Sequence, residues 1–563
     1  MASPSSGTEN AAAGSLDARE PAPGGEEPRK SGSGLSLGRA ASSVSSGVFV
    51  SRILGLVREQ VLAYLFPAKV GLDAFYAAFR IPNLLRDMFG EGALSKAFVA
   101  TFSEIQELES KKEAFRVASS VLNAIVLIVG ALTVLGMVYA DTLVGLIFQG
   151  GGFDVPLDPE TSFGFATKRD LTVFLTRLMF PFILLVCVAA LVMGILNARG
   201  RFFVPALASS FFNVGSIVVG VAGYFLAPEL GYHPTVGMAV GVLAGGLLQL
   251  GWQLPSLFRV GYRYTLELSW NDPRFQKVLR LFAPGALIAS TVQVNLLVNS
   301  IFASRGEGWL TWIVQAFRIV HLPIGLVGVA VSVATLPALS RAAAQNDREG
   351  FRETFSLATR LVVLFTVPAS VGLIVLADPI VRLIFEQGQF GSADTEAVAG
   401  ALRFYSLGLL SFAAVKIVTD GFYALQDIRA PLVVSVLSMF SNVVLNWLFV
   451  VGLGMNHTGL ALATSTSTSL SFVVLWVLFR RHRRTGRLGT RAVFRTLAQS
   501  LGASAAMGAS AFYSYHLLDQ WLGHTMVWTR LLQVGAAITL GVTVYLFGCR
   551  VLRVRELSLI GWR

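Results

Sequence analysis

Residues 140–153, ADTLVGLIFQGGGF, return as ADPIVRLIFEQGQF at 377–390, an offset of 237. The short string AFRI at 78–81 returns at 316–319, an offset of 238. Two matches at nearly one offset mark an internal duplication. Around them the chain alternates apolar runs with short polar breaks, and a helix needs about 20 apolar residues to cross a bilayer. The runs place spans at 41–66, 71–103, 115–140, 171–197, 203–227, 235–258, 277–303, 309–340, 353–377, 396–426, 430–454, 457–480, 492–517 and 527–552. The offset contains six spans, an even number, so the two copies run in the same direction. Parallel six-helix repeats are a transporter plan with the site between the halves. The expected fold is therefore all-α: about fourteen transmembrane helices in two parallel six-helix lobes, plus two C-terminal helices outside the repeat. The boundaries fall at 35–260, 261–485 and 486–563.

Composition agrees. Hydrophobic residues are 54% of the 563 positions and charged residues 14%, where a soluble domain carries roughly 25% charged residues. Mean hydropathy is +0.64. The net charge of +12 does not point to nucleic acid, because the basic residues gather in short loops between apolar runs. Lys111, Lys112, Arg199, Arg201, Arg259, Arg263, Arg274, Arg341, Arg348, Arg352, Arg429 and the run 480–487 fall in one alternate set of loops. That set is expected to face the cytoplasm, with both termini on the same side. Residues 1–34, rich in Ser, Gly, Pro, Ala and Glu with no apolar core, are expected to be a disordered cytoplasmic tail rather than a signal sequence. Cys187 and Cys549 both lie in apolar stretches, so no disulfide framework, metal site or cofactor is implied.

The first two spans carry charges that a bilayer interior penalises by at least about 2.5–3.5 kcal/mol each. Span 1 holds Arg52, Arg58 and Glu59; span 2 holds Asp73, Arg80, Arg86, Asp87, Glu91 and Lys96. Asp73, Arg80 and Asp87 are seven apart and form one helical stripe. Arg318 stands in span 8 with no carboxylate in that span. Intramembrane arginines line water-filled paths, and their planar forks match phosphate oxygens in pairs. The cargo implied is a phosphorylated anion. Lys416 and Asp420, four apart, read instead as a helix-locking ion pair. Arg177, Lys96 and Arg403 read as side chains snorkelling to an interface. Pro323 and Pro337 flank a glycine-rich stretch including Gly325, a candidate moving part. No GxSxG, HExxH, Walker loop or CxxC is present, so a transporter is expected rather than an enzyme.

The stretch SRILGLVREQVLAYLFPAKVGLDAFYAAFRIPNLLRDMFGEGALSKAFV at 51–99 resembles the start of the lipid II flippase MurJ (MviN) family, within the MOP exporter superfamily. QVNLLVNSIFAS at 293–304 and PIGLVGVAVSVATLPALS at 323–340 resemble its seventh and eighth helices. The resemblance implies two lobes in a MATE-like V around a cavity, flipping lipid II from the inner to the outer leaflet by alternating access. Arg52, Arg58, Arg86 and Arg318 would bind its pyrophosphate, together with Asp73, Arg80 and Asn83. Glu59, Asp87, Glu91, Pro323 and Gly325 would serve gating or structure. Span 11 has Asn442 and Asn446 but no carboxylate, and span 7 has none in its core. A coupling cation there would lack a charged ligand, so sodium coupling is not implied. Expected partners are the lipid cargo, membrane lipids and cell-wall synthesis proteins. The alternatives are a flippase for another polyprenyl-linked oligosaccharide and a non-transporting membrane scaffold.

Overall fold

The structure is a computed structural model that describes residues 33–89, 93–482, 490–523 and 526–560. The tail expected at 1–34 lies outside them apart from Ser33 and Gly34, which open the first helix. Every regular element among the described residues is helical. The first lobe comprises α1 (Ser33–Leu65), α2 (Asp73–Phe89), α3 (Ala93–Leu108), α4 (Lys111–Val138), α5 (Ala140–Ile147), α6 (Lys168–Met179), α7 (Phe182–Ala198), α8 (Phe203–Glu229) and α9 (Thr235–Arg259). The second comprises α10 (Pro273–Ala303), α11 (Trp309–Pro323), α12 (Ala330–Ala344), α13 (Arg348–Val375), α14 (Ala377–Phe385), α15 (Ser392–Leu407), α16 (Leu409–Ala424), α17 (Arg429–Asn446) and α18 (His457–Arg481). A hairpin of α19 (Thr490–Leu522) and α20 (Val527–Val551) packs on α13.

Local chemistry sets the helix starts. Ser110 accepts from Glu113 N at the start of α4, and Thr167 with Asp170 forms a capping box on α6. Asp272 caps α10 with Pro273 behind it, and Asp347 caps α13. Each cap satisfies backbone donors that a helix start leaves open. Asn456, within an Asn-His-Thr triplet, caps α18 by accepting from Thr458 N.

Among the described residues, nine helical stretches are long and apolar enough to cross a membrane, counting α6 with α7, α11 with α12, and α17 with the π-helical turn after it as one each, or ten if α15 and α16, bent by 42°, count as one span. The expected count of fourteen is not reached by that measure, which takes in only the described residues. The region of spans 1 and 2 carries the buried charges and is divided among α1, a π-helical turn at Ala68–Leu72, α2 and α3. Span 7 corresponds to α10, and span 13 to α19, whose small polar residues lower its hydropathy.

Both copies of the duplicated segment fold alike. A long helix breaks at Tyr139 or Leu376, a short helix follows (α5 or α14), and the chain then turns sharply. Each turn docks on the opposite lobe through one equivalent hydrogen bond. Gly152 N donates to Ser304 O, and Gln389 N donates to Tyr64 O, both at 3.0 Å. The lobes thus meet backbone to backbone at one end, here called the sealed end. Apart from α10, the second lobe meets the first mainly through α11 and α14, against α1, α2 and the turn between them.

Helix α10 crosses between lobes. Its first turns pack on the first lobe, where Phe275 and Val278 share a core with Phe98 and Phe102, and Lys277 pairs with Glu104 at 2.6 Å. Its last turns join the second lobe, where Asn299 Nδ2 donates to Thr464 Oγ1 at 3.1 Å.

Candidate functional site

At the sealed end, Asp73 opens α2 in the first lobe, wholly buried. Its Oδ1 accepts from the backbone N and the hydroxyl of Thr311, each at 2.9 Å, and its Oδ2 accepts from Gly308 N at 2.9 Å. These donors are the open N–H groups at the start of α11, so a carboxylate of one lobe caps a helix of the other. Lys168, 1% exposed, completes the cluster by donating to Asp73 Oδ2 and to Lys69 O, both at 3.0 Å. Both charges are paired and hydrogen-bonded, the condition under which burial is tolerated. The structure does not bring Asp73 together with the arginines; it places it in the seal between the lobes.

One to two turns further from that end lies the charged centre. Glu59 of α1 is fully buried and holds three partners. Arg58 Nη2 donates to its Oε1 at 2.9 Å, Arg318 Nη1 of the second lobe pairs with the same oxygen at 2.6 Å, and the Tyr76 hydroxyl donates to Oε2. Arg318, lacking a carboxylate in its own span, therefore takes one from the other lobe. The Arg58 guanidinium also lies over the Phe212 ring at 5.4 Å. Arg52, one and a half turns before Arg58, is exposed and lies directly over Gly325. A Cβ at that glycine would stand 2.2 Å from Arg52 Nη1.

Arg52, Gly55, Arg318, His321 and Gly325 line one cavity of about 420 Å³ between the lobes. Its second-lobe wall is the break between α11 and α12, where Pro323 precedes a π-helical stretch, Ile324–Val329. Proline removes a backbone donor, and π-bulges collect at functional sites. Pro323 and Gly325 thus sit at this irregularity, beside the arginines.

Further along α2, Arg86 donates to Asp87 Oδ1 through Nη2 at 2.7 Å and Nε at 3.0 Å, while Gln293 of α10 donates to Asp87 Oδ2 at 3.1 Å. Asn83 lies partly exposed on the same helix, and Arg80 stands midway with its Nε buried and unpartnered. Glu91 lies outside the described residues. Among the described residues, Arg52, Arg58, Arg80, Arg86 and Arg318 stand against Glu59 and Asp87, an excess of three positive charges. In a low-dielectric interior such an excess favours an anionic ligand.

Other charged positions resolve differently from expectation. Asp420 accepts from the Ser332 hydroxyl, and no Lys416–Asp420 ion pair forms among the described residues. Arg403 pairs with Asp378 instead of only reaching for an interface. Asn446 Nδ2 donates to Asn299 Oδ1 at 2.8 Å and to Asn442 Oδ1 at 2.9 Å, a network of neutral amides inside the second lobe. Sequence alone does not single out Lys168 or Tyr76. Lys168 reads as one more loop cation and Tyr76 as one more aromatic, because their partners lie elsewhere in the chain.

Residues 62–532 match the family model for lipid II flippase MurJ. The chain is 35% identical over 508 residues to "Probable lipid II flippase MurJ" of Vibrio cholerae, covering 89% of this chain and 94% of that protein. It is 32% identical over 452 residues to "Lipid II flippase MurJ" of Burkholderia cenocepacia, covering 79% and 84%. Among solved structures, "Lipid II flippase MurJ, inward closed conformation" superposes with a TM-score of 0.73 at 28% identity, covering 92% of this chain and 99% of that one. An inward-facing MATE multidrug transporter of the MOP superfamily superposes at 0.64 with 16% identity, a likeness of fold alone, over 77% of this chain and 94% of that one. The protein is a multi-pass membrane protein of two helical lobes, and the chain belongs to the lipid II flippase MurJ family.

Proposed function

We propose that this protein flips lipid II across the bacterial cytoplasmic membrane by alternating access, with the arginines of both lobes holding the pyrophosphate. The observation that carries this reading is Glu59, one buried carboxylate shared by Arg58 of the first lobe and Arg318 of the second at 2.9 and 2.6 Å. It makes the arginines of the two lobes one site whose occupancy is tied to how the lobes sit. A phosphorylated headgroup competes with Glu59 for both arginines and bears on the lobe arrangement, since a ligand shifts an equilibrium only by its differential affinity.

The sealed end faces outward in this reading, and the basic loops and both termini lie in the cytoplasm, as loop charge supports. The lobes run over 35–260 and 261–485, followed by the hairpin from 486. Arg52, Arg58, Arg86 and Arg318, with Arg80 and Asn83, contact the headgroup. Asp73 acts from the seal and Asp87 by orienting Arg86. Pro323 and Gly325 let the wall of the second lobe move. The polyprenyl tail stays in lipid along α19 and α20. Cell-wall synthesis proteins are the natural neighbours of such a flippase, and nucleic acid is not a partner.

The test is replacement. A bacterium depleted of its own lipid II flippase is expected to grow when this chain is expressed. Correct insertion without growth moves the cargo to another polyprenyl-linked glycan.

A further inference from the structure

Arg80 and Arg318 are one position in the two copies, each the arginine of an AFRI string. So are residues 73 and 311, and these touch across the lobe interface at 2.9 Å. The internal two-fold relation therefore passes between α2 and α11 at that contact. Arg80 and Arg318 each lie seven residues further along a helix unbroken over that stretch. Seven residues return a helix to within about 20° of the same face and advance it about 10 Å. By that geometry the two arginines lie on the facing sides of α2 and α11, about 10 Å along from the seal.

Their surroundings are not symmetric. The position equivalent to Glu59 in the second copy is Leu297, so the second copy has no counterpart of that carboxylate. Arg318 takes it, and Asp87 is engaged by Arg86 and Gln293. Arg80 forms no ion pair among the described residues, and its Nε is buried without a partner.

We propose that a diphosphate binds across this internal two-fold, one phosphoryl on Arg318 and the other on Arg80, and that Arg80 thereby selects diphosphate-linked over monophosphate-linked polyprenyl lipids. The proposal rests on the phosphate-binding reading above and specifies it. A diphosphate is itself two-fold about its bridging oxygen, and each phosphoryl offers a pair of oxygens to one guanidinium fork. A monophosphate offers one phosphoryl and gains the paired contact with only one of the two arginines.

The test measures binding of undecaprenyl diphosphate and undecaprenyl monophosphate to the purified full chain and to Arg80→Gln, Arg80→Lys and Arg318→Gln. The wild type is expected to prefer the diphosphate by about tenfold or more, the scale of one charge-assisted contact. Arg80→Gln should erase that preference by weakening the diphosphate more than the monophosphate, and Arg80→Lys should restore part of it. Arg318→Gln should weaken both lipids. An unchanged preference in Arg80→Gln, or an equal loss for both lipids, overturns the proposal; if Arg318→Gln still weakens both, the phosphate site stands without it. Insensitivity of both lipids to both arginines removes the site as well.

Discussion

Asp73 and Thr311 occupy the same position in the two copies of the repeat and are hydrogen-bonded to each other, Thr311 donating through its backbone N and its hydroxyl at 2.9 Å. A duplicated position has diverged into an acid on one side and its donor on the other. The contact thereby holds the lobes together at the sealed end, and Lys168 neutralises it at 3.0 Å.

Removing one partner of a buried ion pair costs on the order of 3–5 kcal/mol, whereas replacing both with apolar groups can be nearly neutral. Asp73→Asn is therefore expected to weaken the seal, and Asp73→Asn with Lys168→Met to restore much of it. Spin labels at Glu160 and Glu396, exposed positions in the two lobes, read the separation. A longer-distance population in the single variant is the expected result. An unchanged distribution would mean the cluster does not hold the lobes.

Gly151 and Gly388 are also equivalent, yet only one is constrained. A Cβ at Gly388, whose φ is +60°, would stand 2.2 Å from Tyr64 O, while one at Gly151 would meet nothing within 4 Å. Gly388→Ala is expected to cost about 1–3 kcal/mol through backbone strain, with additional displacement at the lobe contact. Gly151→Ala should leave stability and complementation at wild-type level. Thermal unfolding of the two variants side by side checks the difference.

His233, in the turn between α8 and α9, has its pKa pushed down to about 4 by burial. Its Nδ1 accepts from Thr235 N at 3.3 Å. The unfolded chain holds this histidine near its ordinary value of about 6.5. Between those values the unfolded state binds more protons, so stability falls as pH drops from 6.5 towards 4. His233→Gln is expected to flatten that part of the melting-temperature profile. Parallel profiles would show that His233 contributes nothing to it.

Much of this architecture is legible in the chain. The duplication announces two parallel lobes because both copies of 140–153 make the same helix break and the same docking turn. The intramembrane arginines point to an anionic cargo because, among the described residues, they outnumber the carboxylates beside them. Partnerships across the lobes are not legible in the same way. Glu59 and Arg318 are 259 positions apart, and no periodicity relates them. Asp73 reads as one step of a charged stripe, and only the meeting of α2 with α11 turns it towards the seal. Lys168 is indistinguishable from a topology-setting loop cation until its loop folds onto Phe153, whose ring lies 4.5 Å from Nζ.

In the proposed mechanism, arginines from both lobes carry the lipid II headgroup. The most direct measurement is the fraction of lipid II exposed on the outer face of cells that depend on this chain, with wild type compared against Arg58→Ala and Arg318→Ala at equal membrane levels. Outer-face lipid II should be restored by wild type and fall by about tenfold or more in each variant, the scale of a lost charge-assisted contact. Wild-type exposure in both variants would contradict the claim.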